Sequence, residues 1–390
     1  MALRIMTIYG TRPEAIKLAP IIRAIDADPD LENVVVVTGQ HREMLDQVND
    51  MFAIRPDHDL DIMVAGQSLN GIVAKVIGGV DAALEQERPD AVIVQGDTST
   101  AMGAAVAAFD RQVPVVHLEA GLRSGDIGSP FPEEANRKIT AQVTSLHLAP
   151  TSTSKANLMR EGFSEDDVVV TGNSVIDTLL FATAALDVSF DDERLENLQR
   201  SIAAGERRRI LLVTAHRREN LGSAMEDIGQ AVAELARMHP DLTVVFPLHR
   251  NPRVREVILP AIDDLENVLL TEPLPYAQFT RALSLAHIVL TDSGGVQEEA
   301  PSLGKPVLVM RENTERPEAV LSGTVKLIGT SSQRLVDEVS LLLSSTEVHA
   351  AMANAVNPYG DGRAAERTVA ALRWRFRGGR RPEDFAGDIG

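Results

Sequence analysis

The chain has 390 residues, 44% hydrophobic and 24% charged, which is ordinary globular composition in a length suited to two cores rather than one. A formal net charge of −18 disfavours nucleic acid and acidic membranes as partners, and no run approaches the ~20 apolar residues of a membrane span. Cysteine is absent, which excludes disulfides, thiolate metal sites and a cysteine nucleophile, and fits a cytoplasmic protein.

The N-terminal "MALRIMTIYGTRPE" sets an arginine inside a short apolar run and offers no small-residue cleavage site, so it reads as a first strand (3–9) and not as a signal peptide. Further apolar runs predict strands at 33–39, 90–96, 113–119, 146–151 and 167–173. A second series restarts at 208–216 and continues at 242–249, 267–272, 287–292, 305–310 and 325–329. Helical periodicity fills most gaps, as in "AMEDIGQAVAELARM" (224–238). Short, nearly all-apolar strands alternating with helices predict parallel sheets covered on both faces. Two such series predict two doubly wound α/β domains, 1–172 and 173–359. The tail at 378–390 mixes Arg, Gly and acids and is expected to be flexible.

Ligands of open parallel sheets bind at the carboxyl ends of the strands, so those ends carry the functional reading. After the first strand, "GTRPEAIK" gives Thr11 and Glu14 capping-box spacing, with Pro13 suited to the first helical position. Arg12 and Lys17 are then either two cations brought to a helix N-terminus for a phosphate or solvated side chains of a capped helix. No GxGxxG follows any strand, which disfavours a nicotinamide or flavin cofactor. After the third strand Asp97 stands at the tip in "QGDTST", where the bland reading is an N-cap. Glu119 follows the fourth strand directly, an expensive place for an unpaired carboxylate. "FPEEANRKIT" sets Glu133 and Glu134 at a helix start, where the helix dipole alone accounts for both. Together, three carboxylates at one rim make a general acid/base set.

In the second series, His216 stands at a strand tip followed by Arg217 and Arg218, and "PLHRNP" repeats the theme with His249 and Arg250, a pattern suited to phosphate. Metal ligation is the weaker reading, since no two His have helical i, i+4 spacing. "LTDSGGVQEEAPSLGKPVLV" (290–309) is a strand, a glycine turn and a helix start. Ser293, Gly294 and Gly295 can offer backbone N–H groups to a phosphate. Glu298 and Glu299 diverge by about 100° around a helix, so one of them can face the ligand and accept bonds from vicinal ribose hydroxyls.

These segments, with "TGQHREML", "HLEAGLRS", "HRRENLG", "VMRENTERPE" and "NPYGDGRAAERTVAAL", resemble the non-hydrolysing bacterial UDP-N-acetylglucosamine 2-epimerases, in order from about residue 3 to 375. The resemblance implies two Rossmann-like domains in a GT-B arrangement with an interdomain active-site cleft, and a C-terminal helix at about 360–377 that completes the first domain. It implies reversible conversion of UDP-GlcNAc to UDP-ManNAc for cell-surface polysaccharide, by a homodimer; the missing glycine fingerprint and the lack of a His or Cys ligand cluster predict that neither a nicotinamide cofactor nor a divalent metal is needed. Carried over by motif, Asp97, Glu119 and Glu133 are the catalytic carboxylates and His216 lies by the diphosphate. Arg12, Lys17, Ser293, Gly294, Gly295, Glu299 and Arg316 hold UDP, and Phe279 in "LPYAQF" falls in the segment that contacts uracil. Some members are activated by substrate at a second site near "GQHR"; Glu43 and Gly66 stand where the resemblance implies Gln and Arg, so weak or no activation is expected.

The chemistry agrees with this list. The C2–H of an N-acetylhexosamine is not acidic, so inversion there needs either oxidation of a neighbouring carbon or expulsion of UDP as a carboxylate takes the C2 proton. The second route needs cations at the diphosphate and carboxylates around the sugar, and both are present. The rivals are a hydrolysing epimerase, a GT-B glycosyltransferase and a nucleotide-sugar sensor.

Overall fold

The computed structural model describes residues 2–39, 42–64, 66–217, 220–314 and 316–387. The chain divides into two compact units, 1–178 with 359–387 and 179–358. The division falls six residues after the sequence-predicted boundary at 172/173, inside the helix Val175–Ala185.

The first unit holds a seven-stranded sheet of β1 (Leu3–Tyr9), β2 (Leu31–Val37), β3 (His58–Asp59), β4 (Ala91–Gln95), β5 (Val115–Leu118), β6 (Leu146–Ala149) and β7 (Val168–Val170). Their spatial order is β3-β2-β1-β4-β5-β6-β7, and every pairing is parallel. All residues of β4, "AVIVQ", are buried, as expected for a strand with helices on both faces. The helices Leu69–Glu87 and Ser99–Asp110 cover one face, and the second meets the sheet with Ala101, Ala104, Ala105 and Ala108. Small residues there let the two helices approach closely: a Cβ on Gly103 would lie 3.0 Å from Val76 Cγ1.

The second unit holds β8 (Arg209–Thr214), β9 (Leu242–Pro247), β10 (Val268–Thr271), β11 (Ile288–Thr291), β12 (Val307–Val309) and β13 (Val325–Leu327). Their order is β10-β9-β8-β11-β12-β13, again all parallel. Its core packs Leu211, Val213 and Phe246 of the sheet against Met225 and Ile228 of the helix Ser223–Met238 and Ile258 of the helix Pro252–Ile262. In each sheet the strand order reverses beside the first strand, between β1 and β4 and between β8 and β11. Loops leaving those paired carboxyl ends diverge to opposite faces and leave a crevice for a ligand.

The C-terminal helix Ala364–Arg377 belongs to the first unit, where Asp177 accepts the backbone N–H groups of Ala364 and Ala365 at 3.2 and 2.9 Å. The sequence predicts a flexible tail from 378, but residues 378–387 pack against the same unit. Phe385 is buried, its N–H donates to Val170 O at 2.7 Å, and Asp384 accepts the Val170 N–H at 3.0 Å. Among the described residues no helix is long and apolar enough to cross a membrane.

Candidate active site

The first unit gathers its candidates at the carboxyl ends of β1, β4 and β5. Glu14 closes the loop after β1: its Oε2 accepts the N–H groups of Gly10 and Thr11 at 3.0 and 2.7 Å. Its Oε1 accepts Thr98 Oγ1–H at 2.7 Å, so one buried carboxylate ties the loop after β1 to the loop after β4. Burial pushes the Glu14 carboxyl up despite these donors. On the helix Arg12–Asp26, Arg12 is half-buried with no ion-pair partner among the described residues, while Lys17 Nζ meets Glu119 Oε1.

Asp97 is not the cap of the next helix. Thr98 is, through its Oγ1 and the Ala101 N–H at 3.0 Å. Asp97 is held instead from the helix Glu133–Val143, where Arg137 Nη2 donates to its Oδ2 and Asn136 Nδ2 to its main-chain oxygen at 2.8 Å. His117 supports the same turn. Its Nε2–H donates to Gly96 O at 2.7 Å, and burial holds the ring's pKa down at about 4.

Glu119 has φ +63°, a left-handed conformation that a β-branched or bulky residue rarely accepts and that costs on the order of 1 kcal/mol or more. That geometry turns its carboxylate back over the sheet's edge, where Lys17 Nζ takes Oε1 and Gln95 Nε2 takes Oε2. Gly96, at φ +71°, leaves the room: a Cβ there would lie 3.4 Å from Glu119 Oε2. Glu133 opens its helix half-buried, with no hydrogen bond or ion pair among the described residues, while Glu134 beside it is fully buried.

The second unit builds its rim on Asp292, which ends β11 with no exposed side-chain surface. Its Oδ2 accepts the N–H groups of His216 and Arg217, both at 2.9 Å, and Asn220 Nδ2 at 3.1 Å. Its Oδ1 faces His216 Nδ1 at 3.0 Å. Burial pushes this carboxyl up, but the bonds from the His216 ring and the two backbone N–H groups outweigh it and the net shift is downward. An ionised Asp292 makes Nδ1 the protonated nitrogen it faces, so Nε2 is the ring atom left for a ligand. His249 stacks beside His216 with centroids 6.0 Å apart.

Ser293 occupies the N-cap position of the short helix Gly294–Glu299, with no side-chain cap bond. Gly294 leaves room for its neighbour: a Cβ there would lie 2.5 Å from Arg316 Nη1, and the guanidinium would have to shift. Arg316 therefore crosses directly over the glycine backbone, steadied by its Nε bond to Glu298 Oε1 at 2.6 Å. The two adjacent glutamates diverge as helical neighbours must. Glu298 turns to Arg316, while Glu299 folds toward Gly295, its Oε1 3.7 Å from where a Cβ would stand. Phe279 is half-buried on the helix Tyr276–Leu285.

Within the first unit the structure thus brings Lys17, Glu119, Asp97 and the start of the Glu133 helix to one rim. Within the second it brings His216, Ser293, Gly294, Gly295 and Arg316 to the β8–β11 switch point, with Glu299 on the following turn. Sequence reasoning missed Asp292, Arg137 and Gln95. The signal for Asp292 was a carboxylate closing an all-apolar strand; Arg137 and Gln95 gave none, because their partners are distant in sequence. Arg218 and the second-site segment at Gln40 and His41 lie outside the described residues, as does the Glu43 side chain. Among the described residues no group of three His, Asp or Glu side chains is placed to hold a metal.

The sequence profile of the UDP-N-acetylglucosamine 2-epimerase family matches residues 23–373. A Ralstonia nicotianae relative is 51% identical over 373 residues, which are 96% of this chain and 99% of its own. The UDP-N-acetylglucosamine 2-epimerase of Escherichia coli strain K12 is 47% identical over 371 residues, 95% of this chain and 98% of its own. The crystal structure of UDP-GlcNAc 2-epimerase from Neisseria meningitidis bound to UDP-GlcNAc matches at a TM-score of 0.82 and 45% identity, over 95% of this chain and 99% of that one.

Proposed function

The chain belongs to the UDP-N-acetylglucosamine 2-epimerase family and is an isomerase, and we propose that it interconverts UDP-GlcNAc and UDP-ManNAc by expelling UDP and adding it back across a 2-acetamidoglucal intermediate. Its fold is α/β with two Rossmann-like domains of the GT-B type, as in its structural neighbours. The observation that carries the mechanism is the rim of the first unit. Asp97 and Glu119 cap no helix there, and each is held by a cation in one orientation.

Those two carboxylates and Glu133 act on the sugar. One takes the C2 proton as the C1–O bond to UDP breaks; another group returns a proton to the opposite face of the glycal. The second unit takes the nucleotide. Ser293, Gly294 and Gly295 offer N–H groups to phosphate, Arg316 adds charge, Glu299 accepts the ribose hydroxyls and Phe279 lies against uracil. His216, oriented by Asp292, meets the diphosphate with Nε2 and steadies the charge that develops there as UDP departs. Lys17 is shared between Glu119 and the departing anion.

Incubation with UDP-GlcNAc alone, with products identified by NMR, tests the proposal. UDP-ManNAc in equilibrium with UDP-GlcNAc is the expected result. Free ManNAc with stoichiometric UDP would make the enzyme hydrolysing, turnover only with an added acceptor would make it a glycosyltransferase, and binding without turnover would make it a sensor. We further propose a cytoplasmic homodimer feeding polysaccharide synthesis; light scattering giving the mass of a single chain at assay concentration would refute the dimer.

A further inference from the structure

The helix Glu133–Val143 does more than present Glu133. Arg137, one turn on, spans two carboxylates: its Nη2 donates to Asp97 Oδ2 and its Nη1 to Glu134 Oε2 at 3.1 Å. With Asn136 Nδ2 on the Asp97 main-chain oxygen, this one helix grips Asp97 at both its side chain and its backbone. Asp97 Oδ1 has no partner among the described residues, so it is the oxygen left for a ligand. Behind Arg137, Glu134 is wholly buried, with its Oε2 also accepting the Ser124 N–H at 3.1 Å. Its Oε1 is buried with no hydrogen-bond partner. An orphan oxygen on a buried carboxylate is destabilising, and an apolar side chain of similar volume would pack there without that cost. A carboxylate is needed at this position only if it sets a geometry.

We propose that Arg137 is a positioning residue for Asp97, and that Glu134 fixes the plane of the Arg137 guanidinium so that Asp97 presents Oδ1 to the sugar in one orientation. The proposal rests on the reading of Asp97 as a catalytic carboxylate. It explains why the residue is an arginine. A planar fork fixes two carboxylates relative to each other, whereas a lysine is a single point charge free to swing. It also gives the two neighbouring glutamates different work: Glu133 faces the rim, and Glu134 faces inward to hold the arginine.

Steady-state epimerisation of UDP-GlcNAc by Asp97→Asn, Arg137→Lys, Arg137→Met, Glu134→Gln and the double variants tests this, with thermal melts recorded for each. Misplacing a reacting group by about 1 Å costs on the order of 10²-fold. Arg137→Met is therefore expected to lose about that much in kcat, with KM nearly unchanged. Arg137→Lys should fall between it and the parent, and Asp97→Asn/Arg137→Met should be no slower than Asp97→Asn. Because Arg137→Met strands a buried carboxylate, Glu134→Gln/Arg137→Met, which removes both charges, carries the test if the single variant melts early. Folded Arg137 and Glu134 variants with parental kcat, beside an inactive Asp97→Asn, would overturn the positioning role and leave the proposed function standing. A fully active Asp97→Asn would overturn the assignment of Asp97 itself, and the positioning role with it. A rise in KM at parental kcat would make Arg137 a substrate-binding residue and refute the proposal.

Discussion

Asp292→Asn is the perturbation with the largest consequence that can be worked out from the geometry. The carboxylate accepts at Oδ2 from the His216 and Arg217 N–H groups and from Asn220, and at Oδ1 it faces the His216 ring. An asparagine can keep its oxygen at the Oδ2 position, so those bonds survive in neutral form. Each then loses about 1 kcal/mol, the difference between charge-assisted and neutral bonds. Its NH2 falls where Oδ1 stood, against the His216 N–H at 3.2 Å, and two facing donors cost about 1–3 kcal/mol more. The total is roughly 4–6 kcal/mol. The catalytic effect follows from the same swap. The NH2 now donates to Nδ1 of the ring, which moves the proton to Nε2 and presents the diphosphate with the other tautomer. In a serine protease, removing a carboxylate that holds a catalytic imidazole in this way lowers kcat by about 10⁴-fold. Urea unfolding should show the loss in the transition of the second unit, and titration calorimetry should show weaker UDP binding. The sign in pH is fixed by the downward shift of Asp292. Its stabilisation is complete above the unfolded carboxylate value of about 3.9 and is lost as pH falls through the lower folded value, so parent and variant converge only in strong acid. An unchanged unfolding midpoint at neutral pH with parental kcat would refute the reasoning.

Asp97→Asn, Glu119→Gln and Glu133→Gln should each lower turnover by about 10²–10⁴-fold while UDP affinity measured by calorimetry changes far less; parental turnover in all three would remove them from the mechanism. In D₂O the product epimer should carry deuterium at C2, read by NMR, and fully retained protium would indicate one shielded proton carrier instead of exchange with solvent. Burial holds His117 at about 4 and His147 at about 3, so between the ordinary value of 6.5 and those values only the unfolded chain takes up protons and stability falls with falling pH. His147→Phe, beside Phe163, should flatten that slope in urea titrations, and an unaltered slope would contradict it. Turnover should survive exhaustive EDTA treatment, and loss restored by one metal would sink that expectation.

How much was legible in the sequence depended on range. The twelve apolar strands were readable because a two-sided buried strand is a local composition. β3, only His58 and Asp59, has no apolar residue and no periodicity, so it escaped. The glycine turn at Gly294 was readable because its chemistry is backbone chemistry, carried by residue type alone. The docked tail was misread because its polar composition hides a single aromatic. Phe385 sits under the Arg367 guanidinium at 5.2 Å, and one such contact suffices where the backbone is also paired.

The contacts that define the rims are the opposite case, because they join residues that are neighbours only once the sheet order is known. Lys17 and Glu119 are 102 positions apart, Asp97 and Arg137 are 40, and His216 and Asp292 are 76. The order β1-β4-β5 puts the first two pairs side by side, and β8-β11 does the same for the third. This changes the meaning of Lys17. Taken along the chain, it follows Arg12 by five residues and both look like phosphate cations. In the fold they separate: Arg12 has no ion-pair partner among the described residues, and Lys17 is committed to Glu119. A departing diphosphate that draws Lys17 toward itself must take it from Glu119. Losing that cation frees Glu119 Oε1 just as the C2 proton has to move. In the reaction proposed above, one lysine would in this way couple the breaking of the C1–O bond to the transfer of the C2 proton, which two independent cations could not do.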